Sequence, residues 1–172
     1  MIGFAARVFL FLSISSPGKA YGILSPSPSP DGREIAFSYY GDIWIVGSDG
    51  GAARRLTDSD AFESTPVWSP DGRYTAFISD RDGSDDIYII PSSGEEPPRR
   101  LTYHSSWDSP YFFNEKGDTL YFGSRRLEYR GALYKVSVAG GTPVKAVDFS
   151  LFNARPVPGT DTVLFVLSLI HI

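Results

Sequence analysis

The sequence predicts an all-β protein built from repeated four-stranded antiparallel sheets, and three observations carry this prediction. Short runs rich in β-branched and aromatic residues, such as residues 74–79 and 86–90, are separated by Pro, Gly, Asp and Ser. No stretch has the periodicity of an amphipathic helix. The pattern recurs every 40–45 residues with four strands per period, which is typical of the blades of a β-propeller.

The repeat is clearest at a Ser-Pro-Asp-Gly turn that joins two strand-like runs. Pro30 and Pro70 lie 40 residues apart in two copies of this turn. Its Asp-Gly pair indicates a hairpin, because Gly and, less readily, Asp adopt the positive φ that a twisted turn needs. Two Arg-Arg-Leu-Thr strings place Leu56 and Leu101 45 residues apart. A third copy of the turn reads Asn-Glu-Lys-Gly and keeps only the glycine, Gly117.

In chain order, these repeats predict three blades and the start of a fourth. We expect blades at about residues 24–57, 64–102 and 109–147, with a fragment at 153–167. Propellers usually have four to eight blades, so this number does not close a ring. It leaves an apolar sheet edge, which soluble proteins avoid. We therefore expect an incomplete, truncated β-propeller over residues 23–167 that forms the N-terminal part of a longer protein.

The two ends of the chain differ from the repeats. Arg7 is the only charge among the first eighteen residues, an apolar run covers residues 8–14, and Gly18-Lys19-Ala20 places small residues around a possible cleavage site. This pattern indicates a secretory signal peptide over residues 1–22, with a disordered N-terminus as the alternative. The first reading predicts a periplasmic or secreted protein, the second a cytoplasmic one. Residues 168–172 fit no blade position, and we interpret them as a non-native tail.

Composition excludes several classes of function. The net charge is −4, whereas nucleic-acid binding needs a concentrated basic surface. Cysteine is absent, which excludes disulfides and thiolate chemistry. The chain has no phosphate loop, dinucleotide fingerprint or His-x-x-x-His pair. The apolar run near the N-terminus is too short to span a membrane. We therefore expect no cofactor, no metal, no nucleic acid and no membrane span.

The repeats predict two unlike ring faces. The Ser-Pro-Asp-Gly and Gly-Gly turns share one face and are nearly constant between copies. The other face carries the connections between blades and the loops between second and third strands, which vary in length and composition. Variable loops on a fixed scaffold are where binding concentrates. The candidate peptide- or partner-binding residues on this second face are Phe62, Arg81, Asp82, His104, Trp107 and Arg125.

Each candidate has a structural alternative. Residues 80–86 hold four carboxylates, and a calcium loop is disfavoured against a solvated hairpin loop because its glycine is misplaced. His104 lies near serines and Asp108, but no Gly-x-Ser-x-Gly elbow exists, so a capping or binding histidine is favoured over a catalytic triad. Phe62 and Trp107 either pack onto the blades or line the mouth of the channel.

Three arginine pairs remain. The pairs at residues 54–55 and 99–100 are repeat equivalents 45 residues apart, which favours charges that protect blade edges from pairing. The pair at residues 125–126 lies in a variable loop and is the better binding candidate.

The motifs resemble the WD-like, PD-type propeller repeats of tricorn-type serine peptidases and of TolB. The matching segments are residues 42–44 (DIW), 68–72 (WSPDG), 86–88 (DIY) and the two Arg-Arg-Leu-Thr strings, and the resemblance covers about residues 23–165. The stretch at 37–44, directly after the signal-like segment, resembles the start of tricorn-type enzymes. A TolB-like propeller is the second choice, because no α/β domain fits before the first blade.

In tricorn-type enzymes an N-terminal propeller precedes a PDZ-like domain and a C-terminal serine peptidase domain. The resemblance implies that this propeller gates or guides peptide and unfolded protein substrates, with no catalytic residue in this stretch. The TolB resemblance implies instead a periplasmic scaffold that binds other proteins. Propeller-gated enzymes of the prolyl-oligopeptidase type contain related blades and are a third possibility.

Overall fold

A computed structural model describes residues 22–127, 131–157, 160 and 162–167. Within these ranges the secondary structure consists of thirteen β-strands and their connections, without a helix. The signal-like segment up to residue 21 and the proposed tail at 168–172 lie outside the described residues. The strands are β1 Leu24–Pro28, β2 Glu34–Tyr39, β3 Asp42–Gly47, β4 Arg54–Arg55, β5 Glu63–Trp68, β6 Tyr74–Ser79, β7 Asp86–Pro91, β8 Arg99–Arg100, β9 Asp108–Phe113, β10 Thr119–Ser124, β11 Ala132–Ser137, β12 Val144–Pro156 and β13 Val163–Leu167.

The strands form antiparallel sheets in sequence order, as expected of propeller blades. The first sheet is β1-β2-β3-β4, the second is β5-β6-β7-β8, and the third contains β9 to β13 in order. The second and third strands of the first two sheets pair without a shift, with Phe37 opposite Trp44 and Phe77 opposite Tyr88. The predicted fold class, a partial all-β propeller, is confirmed.

The Ser-Pro-Asp-Gly turn is held by its own side chains. Ser69 Oγ donates to Asp71 Oδ1 at 2.6 Å and accepts from Tyr74 N at 2.9 Å. Gly72 N donates to Ser69 O at 2.9 Å, and Gly72 alone in the turn has a positive φ, 71°. The turn is therefore centred on Pro70 and Asp71 with a left-handed glycine after them. The sequence located the hairpin correctly, but Asp71 does not adopt a positive φ.

The third copy of the turn keeps the same geometry with different chemistry. Asn114 Oδ1 accepts from Thr119 N at 3.0 Å, which is the bond that the serine hydroxyl accepts in the earlier copies. Gly117 N donates to Asn114 O at 2.9 Å, and Gly117 has φ 72°. Asn114 Nδ2 also donates to Asp118 Oδ1 at 2.7 Å. One amide therefore replaces the serine of the motif.

Each sheet buries both of its faces, so each blade needs its neighbours. Strand residues alternate between the two faces: Phe77 and Tyr88 pack against blade one, and Ala76 and Ile87 pack against blade three. Trp68 extends the first of these contacts, because its Nε1 donates to Ser27 O across the blade boundary at 2.9 Å. The core is thus a series of apolar layers between successive sheets.

The passage from blade three to blade four differs from the expected pattern. The sequence predicted a connection between a blade that ends near residue 147 and a fragment that starts at 153, but β12 runs unbroken from Val144 to Pro156. Its first part pairs with β11 and its second part with β13. The earlier outer strands, β4 and β8, have only two residues each. Blade three lacks the residues of the earlier connections: Ala132 replaces the aspartate, and Lys145 replaces the arginine.

Candidate functional site

In blade two, the aspartate that begins the third strand forms hydrogen bonds to the residues at the end of the outer strand. Asp86 is fully buried, and its carboxylate accepts from Arg100 Nη2 at 2.6 Å, Thr102 Oγ1 at 3.2 Å and His104 N at 3.2 Å. Thr102 Oγ1 in turn accepts from Ile87 N at 2.9 Å. These bonds take the chain out of β8 and direct it towards the next blade. They give a physical reason for the repeated Asp-Ile and Arg-Arg-Leu-Thr strings.

Blade one repeats this arrangement in a more exposed form. Arg55 Nη2 lies 2.7 Å from Asp42 and 2.8 Å from Asp58. Thr57 Oγ1 accepts from Ile43 N at 2.9 Å, and Ser59 N donates to Asp42 at 3.4 Å. Blade three has Ala132 instead of the aspartate. Equivalent hydrogen bonds to a carboxylate are therefore missing at the outer strand, and β12 continues into blade four.

The first arginine of each pair joins neighbouring blades. Arg54 Nη2 donates to Ser92 O in blade two at 2.7 Å, and Arg99 Nη2 donates to Val138 O in blade three. The sequence interpreted these pairs as charges that protect blade edges from pairing, and the structure adds specific partners for both members. Both members are used: one holds the connection and the other contacts the next blade.

Arg81 and Arg126 are also repeat equivalents, each paired with a buried carboxylate. Arg81 Nη2 donates to Glu63 Oε1, and Arg126 Nη2 donates to Asp108 Oδ2 at 2.7 Å. Each guanidinium also packs on an aromatic ring, with Arg81 4.5 Å from the centroid of the Tyr88 ring. Burial raises the pKa of the Asp108 carboxyl, although Ser124 and Arg126 act in the opposite direction. These arginines hold the start of each inner strand to its own hairpin loop.

Three of the four carboxylates in the loop at residues 80–86, those of Asp80, Asp82 and Asp86, accept hydrogen bonds from the protein itself. Asp80 Oδ1 accepts from Phe62 N at 2.7 Å. Asp82 Oδ2 accepts from Arg100 Nη1 at 3.0 Å and from the Tyr88 hydroxyl. Burial raises the pKa of Tyr88, and the bond to Asp82 adds to this. Among the residues that the structure describes, no three acidic or histidine side chains come together as metal ligands.

His104 lies in the connection between blades two and three and is half-buried. Its Nδ1 accepts from Ser106 N at 3.0 Å, and its carbonyl accepts from Ser84 Oγ at 3.2 Å. The imidazole therefore caps its own loop. This is the capping role that the sequence favoured over catalysis.

Phe62, Trp107 and Arg125 lie on the loop face and reach solvent. Phe62 is 54% exposed and Trp107 is 38% exposed. The Arg125 guanidinium lies 5.8 Å from the centroid of the Trp107 ring. The structure thus places two of the six predicted residues, Arg81 and Asp82, in internal networks, and His104 in a loop cap. The binding role of all six residues stays a prediction.

A cleft of about 340 Å³ opens between blades one and two on the loop face. Leu24, Tyr39, Tyr40 and Phe62 supply its apolar walls, and Ser38 and Asp60 contribute polar groups. Sequence reasoning identified only Phe62 of this set. The feature that could have indicated the others is the short turn between β2 and β3. There Tyr40 and Gly41 form a tight two-residue hairpin, and both have a positive φ, 53° and 86°.

The described residues contain no helix long and apolar enough to cross a membrane.

Comparison with known proteins connects this fold to peptidases. The chain is 37% identical over 79 residues to "Tricorn protease homolog 1" of Streptomyces coelicolor, covering 46% of this chain and 7% of that protein. It is 36% identical over 100 residues to the peptidase YuxL of Bacillus subtilis, covering 52% of this chain and 14% of that protein. The chain therefore spans only a small part of these curated relatives.

Solved structures share the fold. A TolB-type protein from Agrobacterium tumefaciens superposes with a TM-score of 0.71 at 27% identity, covering 86% of this chain and 56% of that one. The tricorn protease superposes with a TM-score of 0.68 at 21% identity, covering 80% of this chain and 14% of that one. A family model described as the tricorn protease N-terminal beta propeller domain matches residues 23–165. The chain therefore belongs to the family of tricorn protease N-terminal β-propeller domains.

Proposed function

We propose that this propeller binds unfolded peptide segments and guides them to a peptidase domain of the same protein. It contributes recognition and performs no chemistry itself. Membership of the tricorn N-terminal propeller family supports this role, as does the similarity to proteins named as peptidases. A downstream PDZ-like and peptidase region is part of the proposal.

The observation that carries the proposal is the contrast between the two faces of the blades. The turn face is closed by local hydrogen bonds that recur in each blade. The loop face exposes large apolar side chains, of which Phe62 and Trp107 occupy equivalent positions directly before an inner strand. These side chains are Tyr40, Phe62, Tyr103, Trp107 and Leu127, with exposures from 38% to 78%. Exposed aromatic residues on variable loops suit contacts with extended chains of mixed sequence.

The test uses the full-length protein, a labelled unfolded protein such as casein, and a short fluorogenic peptide. A double variant, Phe62→Ser with Trp107→Ser, removes two exposed rings from the loop face. We expect the KM for the unfolded protein to rise about fivefold or more, with kcat unchanged, since the rings contact substrate away from the chemistry. Cleavage of the short peptide should not change.

The matched control is Tyr74→Ser, because Tyr74 is an exposed ring at the start of β6, beside the opposite face. An equal rise in KM for both substrates, or for the control variant, contradicts a guiding role for the loop face.

A second candidate is a non-enzymatic scaffold of the TolB type that binds other envelope proteins. The observation that favours it is the similarity to the Agrobacterium TolB-type protein, which covers more of this chain than the tricorn protease does. The coding sequence beyond residue 167 separates the two candidates. A PDZ-like and peptidase region supports the first, whereas two or three more blades and a stop codon support the second.

We propose that residues 1–22 act as a signal peptide and direct the protein to the periplasm or outside the cell. Fusion of these residues to a reporter that is active only after export tests this. A reporter that stays in the cytoplasm contradicts it.

A further inference from the structure

The cleft between blades one and two places aromatic rings beside a carboxylate, as at the arginines of this chain, although its carboxylate is exposed. Ser38 and Asp60 are its polar groups, and Tyr40 and Phe62 its exposed aromatic ones. The cleft lies beside Leu24, at the start of the innermost strand, on the face that the proposed function assigns to substrate.

Three arginines of this chain are held by the same combination of contacts. Arg81, Arg100 and Arg126 each pair with a buried carboxylate and stack on an aromatic ring. For Arg100, Asp86 lies at 2.6 Å and the centroid of the Tyr103 ring at 4.6 Å. For Arg126, Asp108 lies at 2.7 Å and the centroid of the Tyr134 ring at 4.9 Å. Carboxylate and ring act together, because one neutralises the charge and the other packs on the planar group.

Blade one has no equivalent of Arg81 and Arg126, although Arg55 repeats the pairing of Arg100 with a buried aspartate. Tyr39 stands where Ser79 and Ser124 lie in the later blades, two residues before Arg81 and Arg126. The short Tyr40–Gly41 turn replaces the longer loop at residues 80–85. The chain therefore supplies rings and a carboxylate at this place, but no cation of its own among the described residues.

Two polar groups of the cleft have no partner within the described residues. Ser38 is only 2% exposed, and its Oγ makes no hydrogen bond. A buried hydroxyl without a partner is costly. Asp60 is exposed and has no ion pair, in contrast to its neighbours Asp58 and Glu63, which pair with Arg55 and Arg81.

We propose that this cleft binds a cationic side chain, arginine or lysine, of an extended peptide. The proposal rests on the proposed peptide-guiding function and names the substrate feature that it recognises. The aliphatic stem packs between the rings of Tyr40 and Phe62, the charged end pairs with Asp60, and a donor of the side chain or its backbone reaches Ser38 Oγ.

The test measures fluorescence anisotropy of labelled Gly-Ser peptides with the full-length protein at low salt. The peptides carry one central arginine, lysine, citrulline or norleucine. We expect the arginine and lysine peptides to bind about tenfold more tightly than the two neutral ones, since a charge-assisted bond is the difference between them. Asp60→Asn should abolish most of this preference, and Ser38→Ala should weaken binding of the arginine peptide about threefold.

The matched control is Asp49→Asn, which removes an equal charge from an exposed turn between β3 and β4. It should leave the preference unchanged. Equal affinity for arginine and norleucine peptides overturns the cationic site and leaves peptide guiding intact. The same loss in Asp49→Asn and Asp60→Asn also overturns it, because it indicates a general field effect.

A second measurement separates this site from the guiding function. Titration with N-acetyl-arginine-methylamide, followed by amide NMR, should shift the signals of Ser38, Tyr40 and Phe62. If these signals shift while unfolded protein does not bind, the site stands and the guiding function fails. If the signals stay fixed, the site is refuted even where longer peptides bind.

Discussion

Replacing Asp86 by alanine tests whether the aspartate that begins a third strand holds the blade connection. Asp86 is fully buried and accepts from Arg100, Ser84, Thr102 and His104. Alanine removes all four acceptor contacts at once. It also places in blade two the residue that blade three has at Ala132.

The magnitude follows from what remains around Arg100. Loss of one partner of a buried ion pair costs about 3–5 kcal/mol, because the other charge stays uncompensated. Arg100 keeps Asp82 at 3.0 Å and its own bond to Thr102 O at 2.8 Å. We therefore expect a loss of about 3 kcal/mol in the free energy of unfolding, at the lower end of this range.

Asp42→Ala is the internal control in blade one. Arg55 is more exposed than Arg100 and keeps Asp58 at 2.8 Å. The bond from Ser59 N to Asp42 is also long, at 3.4 Å. We expect this variant to lose only about 1 kcal/mol, as for an exposed pair.

The assay is urea unfolding followed by tryptophan fluorescence, with midpoints compared at equal slope. Asp86→Ala should lower the midpoint by about 1 M or more. The double variant Asp86→Ala with Arg100→Met should recover part of the loss, because it leaves no unpaired guanidinium. Equal losses for Asp86→Ala and Asp42→Ala, or no recovery in the double variant, would refute the reasoning.

Three further predictions concern other parts of the fold. Gly123→Ala should cost about 1–3 kcal/mol by urea unfolding, because the new Cβ would lie 2.6 Å from Tyr111 Cζ; unchanged stability contradicts this. Trp68→Phe should lose about 1–2 kcal/mol, since the bond to Ser27 O between blades disappears, whereas Trp68→Tyr retaining full stability would count against that bond. The Ser69 hydroxyl lowers the pKa of Asp71 to about 2, so Asp71 stabilises the fold above about pH 4, and this contribution disappears as the pH falls towards 2. Solvent screening limits this contribution to about 1 kcal/mol. The urea midpoints of wild type and Asp71→Asn should therefore differ at pH 5 and coincide at pH 2.

The fold was predictable because the same local sequence pattern recurs in each blade. A turn with Pro70 and a left-handed Gly72 forms from nearby atoms alone. The Asn114 turn was recognisable from its glycine, although the amide bonds that replace the serine were visible only in the structure. Pairing of strands with alternating apolar residues then places both faces of each sheet in contact with a neighbour.

The long-range polar partners were not predictable in this way. Arg81 lies in a variable loop, and nothing nearby in sequence shows that its partner is Glu63, eighteen residues earlier. The continuous β12 was missed because the carboxylate that Ala132 lacks would act on a different strand, which the local sequence of β12 does not show. The cleft beside Tyr40 was missed because it depends on the length of one turn relative to its copies.

The positions that differ from the repeat are therefore the ones at which side chains do more than stabilise the fold. Where a blade keeps aspartate, arginine and threonine at equivalent positions, these side chains satisfy one another and leave nothing for a ligand. Replacement of Asp by Ala132 changes only the path of the strand, because the neighbouring residues are apolar and bury themselves. At Tyr39 and Tyr40 the short turn brings no arginine to the cleft, and within the described residues Ser38 Oγ has no hydrogen-bond partner and Asp60 has no ion pair. Glu63 Oε2, Asp108 Oδ1 and the Tyr134 hydroxyl also lack a hydrogen-bond partner among the described residues, but Ser38 lies at an open cleft, where a ligand that supplies a donor offsets the cost of its burial.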